Sequence, residues 1–570
     1  MKLTISKSKN STSLYVAKSF YSKGTRTSKI VEKLGTVAEL EKRLNGQDPI
    51  EWANKYIEEL NKKEKEENRD VLVKYSPAKI INKDEQRSFN GGYLFLQKIY
   101  YELGLHKICK EISQKYKFDY DLNSILSRLI YGRVIFPSSK LATYQLSKRF
   151  IEQPNFDLHQ IYRALEVLAK ETNFIQSSLY ENSLKISKRN TGVLYYDCTN
   201  YYFEIEQESD DKQYGISKEN RPNPIIQMGL FMDGDGIPLA FSINRGNMNE
   251  QLTLKPLEEK ILSDFNLSKF IVCTDAGLSS EDNRKFNNKD DRAFITTQSI
   301  KKLKEHLKKW ALASSGWMLP DVVKSYDISE IDEEKYKNKV FYKERWINEN
   351  GLEQKIIVTY SIKYRDYQHK IRNSQIERAQ KILDHNPTKL KKSHQNDYKR
   401  FISKTNCTPD GEVAEKEIYT INKSLISKEE AFDGFYGICT NLDDAASEII
   451  KVNHRRWEIE ECFRIMKSEF KARPVFLSNH DRIEAHFITC FISLMIYRLL
   501  EKRLNEKYTC SEIISGLIDM NFNVIKGDGY TPSYTRTDFT DSLHEAFGFR
   551  TDYEIVNTSQ MKKIFRETKK

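Results

Sequence analysis

Apolar and polar residues alternate through TSLYVAKSFY and RTSKIVEKLG, on either side of SKG, and this pattern predicts a β-hairpin over residues 12–34. Thr36 and Glu39 follow with capping-box spacing and predict a charged helix reaching about residue 67. Residues 1–84 read as a small N-terminal module. From 88 to 190 the apolar spacing turns to three and four, as in YLFLQKIYYELGLHKICKEI and LNSILSRLIYGRVI, with Pro137 and Pro154 as punctuation. This predicts a helical domain over 85–190.

At Gly192 the period changes again. VLYYDCTNYYFEI reads as a strand, and PIIQMGLFMDGDGIPLAFSI as two strands joined by an Asp-Gly turn. A helical stretch, NEQLTLKPLEEKIL, precedes the strands KFIVCTD and RAFITTQ. Together they predict an α/β core whose first three strands are antiparallel. Residues 300–433 break the rhythm with a hairpin around Asn350-Gly351 and a basic helical segment. From Lys363 to Arg400 there are eleven Lys and Arg against four Asp and Glu. This part reads as a β-rich insertion into a core made of 191–299 and 434–500, followed by a helical tail over 501–570.

Composition narrows the classes. With 39% hydrophobic and 12% aromatic residues in 570, the chain has enough apolar surface for several folded domains. Its 92 basic and 81 acidic side chains leave +11, which suits a polyanion partner without demanding one. Eight scattered cysteines include no C-x-x-C pair, so neither a zinc ribbon nor a disulfide framework is suggested. MKLTISKSKN has no apolar stretch of signal-peptide type, and the longest apolar run, 487–497, is too short for a bilayer. A cytoplasmic protein with no membrane partner is expected.

Two aspartates and one helix carry the candidate chemistry. Asp197 lies inside an aromatic strand, where a carboxylate is costly without a partner or a metal. Asp275 ends the strand FIVCTD before Ala276-Gly277, a place where side chains face clefts, although a turn or cap role is the plainer alternative. In RRWEIEECFRIMK, helical spacing puts Arg456, Arg464, Lys467 and Asn453 within about 40° of Glu460. Ile459, Phe463, Met466 and Phe470 form the neighbouring apolar stripe. The polar line could also be an exposed i,i+4 pairing. DGDGIP begins like a calcium loop but lacks the later ligands, and the acidic run Glu204–Asp211 reads as a solvated loop. No phosphate-loop motif or zinc spacing occurs.

Taken together, YYDCTN, VCTDAGLSS and RRWEIEECFRIMK resemble the DDE transposases of bacterial insertion sequences, in the branch with a Y-x2-R-x3-E-x6-K signature and a β-rich insertion before the Glu. Arg456, Glu460 and Lys467 match that spacing, Trp457 follows the Arg, and Asn453 stands where the signature has Tyr. The resemblance implies a ribonuclease-H-like core in which Asp197, Asp275 and Glu460 hold two Mg²⁺ or Mn²⁺ ions. Arg456 and Lys467 would clamp phosphates, with Trp457, Asn453, Arg464 and Lys471 as further DNA contacts. It also implies a homodimer acting on double-stranded DNA, both terminal inverted repeats and target, and a hairpin step in which an aromatic of the insertion holds a flipped base. Of Trp310, Trp317 and Trp346, the last is the favoured candidate for that role. The competing readings are a non-catalytic DNA-binding protein, such as a repressor or domesticated remnant, and a nuclease of the same fold that does not join.

Overall fold

In the computed structural model the N-terminal alternation builds three antiparallel strands, Lys2–Lys7, Thr12–Ser22 and Thr25–Thr36, one more than the pattern predicts. The structure describes the whole chain except residues 10, 23–24, 45, 68–71, 74–75, 290, 321, 386–396 and 408–412. The predicted hairpin's turn and part of the basic stretch therefore lie outside the described residues. Thr36 caps the next helix as expected: its hydroxyl accepts from the Glu39 amide at 3.3 Å, and the Glu39 carboxylate accepts from the Thr36 amide at 2.9 Å. Leu14, Leu40 and Ala53 close a small core. Met1–Glu85 with Ile525–Asp528 forms one compact unit, and Gln86–Val524 with Gly529–Lys570 forms another.

The larger unit is organised by a ten-stranded sheet. Its order is Val322–Tyr326, Trp317–Leu319, Phe341–Glu349, Leu352–Tyr360, Phe435–Thr440, Ala293–Gln298, Ile271–Thr274, Val193–Tyr202, Ile225–Asp233 and Pro238–Arg245. Val193–Tyr202, Ile225–Asp233 and Pro238–Arg245 are antiparallel, the arrangement expected of the first three core strands. Beyond Val193–Tyr202 the sheet turns parallel for Ile271–Thr274 and Ala293–Gln298. The hairpin around Asn350-Gly351 is not a separate layer: Leu352–Tyr360 pairs with Phe435–Thr440 and so extends the central sheet. Asn350 and Gly351 both have positive φ, 52° and 78°, which a two-residue turn between twisted strands requires.

Alternation sorts the sheet's side chains onto two faces. Leu194, Tyr196, Cys198 and Val272 join the core under the helix Leu254–Asp264. Tyr195, Tyr201 and Cys273 point the other way, into a core shared with Ile459, Cys462, Phe463 and Met466. Six helices occupy Tyr93–Ile186, and the helix His480–Arg503 packs against four of them, most extensively Leu122–Ile135 and Leu158–Lys170. His480–Arg503 is long and apolar enough to cross a membrane, yet 94% of its most apolar window is buried inside the protein. Residues 501–570 do not trail away as a tail. The strands Asn521–Ile525, Gly529–Pro532 and Val556–Asn557 build a small sheet with Ser88–Asn90. Thr568 also accepts a hydrogen bond from Gln97 at 2.9 Å.

Candidate active site

Tyr196 pairs in parallel register with Thr274, so Asp197 and Asp275 are the next residues along two neighbouring strands. Side chains at matching parallel positions point to the same side, and Asp197 shares the face of Tyr195 that packs beneath the helix Trp457–Arg464. Each aspartate tightens the chain locally: the Cys198 amide donates to Asp197 Oδ1 at 2.8 Å and the Ala276 amide to Asp275 Oδ1 at 2.7 Å. The strand thus holds Asp197 half-buried, while Asp275 lies at the strand's exit with 47% of its side chain exposed.

The helical stretch is not the single straight helix its spacing predicts. Ala446–His454 ends before Arg456, which starts the helix Trp457–Arg464, and Ile465–Glu469 forms one π-helical turn. The line still delivers its central members to the aspartates. The Arg456 guanidinium lies 3.3 Å from Glu460 Oε1 and 3.9 Å from Asp275 Oδ1. Its Nε is buried without a hydrogen-bond partner. Lys467, moved round by the π-turn, donates to the Thr199 hydroxyl and lies 3.7 Å from Glu219.

Lys218 was not legible in the sequence. It sits in a loop, donates to the carbonyl of Cys198 and pairs with Glu250 at 3.1 Å. No motif marks it; only the folding of the 203–224 loop brings it beside Asp197. Burial pushes the Asp197 carboxyl up to about 6, with Lys218 and Arg456 pulling it down and Asp275 adding to the rise. Burial pushes Lys467 down to about 8, reinforced by Lys218 and opposed by Asp197. Three cationic side chains therefore surround a carboxylate pair and a half-exposed glutamate, an arrangement suited to cations and to phosphate oxygens alike.

The other sequence candidates are placed unevenly. Asn453 is buried, and its amide donates to the Tyr436 hydroxyl at 3.3 Å, away from solvent. Trp457 is 54% exposed at the start of the Glu460 helix. Arg464 is held in local pairs with Glu461 at 2.5 Å and Glu469 at 3.4 Å. Lys471 is exposed in left-handed conformation, φ 47°. In the insertion Trp317 is fully buried, whereas Trp346 is 42% exposed in the middle of its strand with Lys355 Nζ 5.6 Å from the ring centroid.

The ligand oxygens of Asp197, Asp275 and Glu460 do not form a trio within 4.8 Å; among the described residues Asp541, His544 and Asp552 do. That trio is already neutralised. Arg550 lies 2.7 Å from Asp541 and 2.5 Å from Asp552, and Arg536 lies 2.8 Å from Asp541.

Residues 202–496, just over half of the chain, match the family described as Transposase DDE domain. The matched span contains Asp275 and Glu460 and begins five residues after Asp197. Among solved structures the chain is similar to the cryo-EM structure of a piggyBac transposase synaptic complex with hairpin DNA, at 9% identity and a TM-score of 0.36, covering 75% of this chain and 78% of that one. A TM-score that low does not identify a shared fold. No curated protein matches the sequence.

Proposed function

The chain belongs to the Transposase DDE domain family, and from that premise we propose that it mobilises a DNA element of the insertion-sequence type. It would bind the element's terminal inverted repeats, cut at the ends, and join the freed 3′-OH to target DNA. The observation that carries this reading is the register of Asp197 and Asp275 on neighbouring parallel strands, beneath the helix whose Arg456 reaches both Asp275 and Glu460. An antiparallel run that turns parallel beyond the Asp197 strand, with helices on both faces, supports reading this part as ribonuclease-H-like.

Asp197, Asp275 and Glu460 offer only hard oxygen donors, the ligand chemistry of Mg²⁺ and Mn²⁺. Asp197, raised toward 6 by burial, is a group whose ionised form a nearby cation would restore. Asp197, Asp275 and Glu460 would together hold the metal, with Asp197 as the shared central ligand. A metal held there would supply activation of the attacking oxygen and stabilisation of the leaving one. The chain's own cations do the positioning. Arg456 offers a planar fork for phosphate, and Lys467 a point charge about three helical turns further along the chain. Trp346, exposed beside Lys355, is the residue assigned to hold a flipped base during a hairpin step. The working form is a homodimer on DNA, in the cytoplasm.

The test is incubation of the full-length protein with Mg²⁺ and a plasmid carrying the coding sequence's native flanks, followed by mapping of ends and joined products. Cuts bounding the element together with joining support the reading; cuts without joining leave a nuclease. Trp346→Ala is expected to allow first-strand nicking and to stall the hairpin.

A further inference from the structure

The segment after the π-helical turn and the start of the helix Lys140–Ser147 line a half-open cavity of about 320 Å³. Arg133, Lys140, Lys471 and Arg473 line it, and no acidic side chain does. Arg133 and Lys140 are each only 5% exposed, and neither forms an ion pair with a described residue. Arg133 donates to two carbonyls, Phe470 O at 3.0 Å and Ser138 O at 3.3 Å, while its Nε has no partner. Lys140 Nζ is 3.4 Å from Nδ1 of His486, whose Nε2 is 3.1 Å from the Ala472 carbonyl.

Two buried cations answered only by neutral dipoles are an expensive arrangement unless something negative joins them. Desolvation pushes Lys140 down to about 7, and it holds His486 neutral. A bound anion would reverse the first shift. The N-terminus of Lys140–Ser147, capped by Ser139, opens on the same cavity and adds amide dipoles of the right sign. At the rim Leu141 is 48% and Phe476 72% exposed, so an aromatic face stands in solvent beside the cations. Arg473 is engaged with Glu219, leaving Lys471 as the exposed charge at the mouth.

We propose that this cavity binds a phosphate group, with Arg133 and Lys140 as buried donors, Lys471 at the mouth, and Phe476 placed to stack on an attached nucleoside. The phosphate can belong to a DNA strand or be free; the stacking face favours the strand. Nothing in this assignment depends on the carboxylates being catalytic.

The experiment compares inorganic phosphate, by calorimetric titration, with a short fluorescent oligothymidylate, by anisotropy over a salt series, on the full-length protein. Lys140→Met and Lys471→Met are each expected to lower phosphate affinity about tenfold and oligothymidylate affinity with it. The salt slope should flatten by about 0.7, one single-strand phosphate contact. Phe476→Ala should weaken oligothymidylate about tenfold and leave phosphate binding unchanged. Lys289→Met, an exposed lysine elsewhere, should alter neither. If both lysine variants lose phosphate but keep the parent's oligothymidylate isotherm, the phosphate site stands and its ligand is free phosphate. Lys471 is exposed, so its variant keeps the test decisive even if Lys140→Met fails to fold. A parent protein that binds no phosphate, with Lys471→Met binding oligothymidylate as the parent does, would overturn the proposal.

Discussion

Two acidic clusters in the same compact unit look alike on paper and differ in what surrounds them. Asp541, His544 and Asp552 have the tighter geometry, yet Arg536 and Arg550 already neutralise the aspartates, and Asp552 is only 6% exposed. Asp197, Asp275 and Glu460 are more loosely set. Glu460 and Asp275 are half-exposed, and Asp197 keeps a raised carboxyl despite three cations nearby. The closed cluster has spent its charge on structure; the open one still has charge to offer a ligand. We therefore weigh charge compensation above proximity of carboxylates in proposing the metal site.

The comparison breaks most visibly in catalysis. Asp197→Asn, Asp275→Asn and Glu460→Gln should each cut DNA cleavage in Mg²⁺ by about 10³-fold or more, the scale of about 4 kcal/mol of transition-state stabilisation. Asp541→Asn should leave cleavage per folded molecule within about twofold. A normal rate in any one of the first three variants would remove that residue from the chemistry. Next in size is metal-linked stability. Mn²⁺ at about 100 times its Kd should stabilise the parent by about 2.7 kcal/mol in denaturant unfolding. That gain should vanish in Glu460→Gln and persist in Asp541→Asn.

Without metal the ranking reverses. Asp552→Ala should lose about 1–3 kcal/mol, because it removes one of the two carboxylates that Arg550 bonds and leaves the buried His544 without its acidic neighbour. Asp275→Ala, half-exposed and 3.9 Å from its nearest cation, should stay within about 0.5 kcal/mol. The smallest effect is on DNA affinity. Arg456→Ala and Lys467→Ala should each weaken end binding by about tenfold or less and lower the salt slope by about 1, whereas Arg536→Ala should change neither.

Of these two clusters only the open one was legible in the sequence, for definite reasons. Asp197 and Asp275 stood out because a carboxylate inside or ending an apolar strand violates the local pattern, and parallel pairing then set them side by side. Helical spacing drew Arg456, Glu460 and Lys467 together. It did not foresee the break at Arg455-Arg456 or the π-turn, because apolar periodicity carries no signal for a one-residue register shift. Asn453, expected on the Glu460 line, belongs to the preceding helix, whose buried side it occupies. Lys218 reaches the site only through loop folding. The insertion's strands read correctly as a hairpin, yet nothing local reveals that Leu352–Tyr360 pairs with Phe435–Thr440 to lengthen the central sheet. Long-range partners of strands are chosen by the whole fold.

The most direct test is to locate Mn²⁺ by anomalous scattering in crystals of the full-length protein with DNA ends. The account predicts two peaks about 3.5–4 Å apart, bounded by Asp197, Asp275 and Glu460. Crystals of cleavage-competent protein whose only manganese lies at Asp541 and Asp552, or which show none at the three carboxylates, would contradict it.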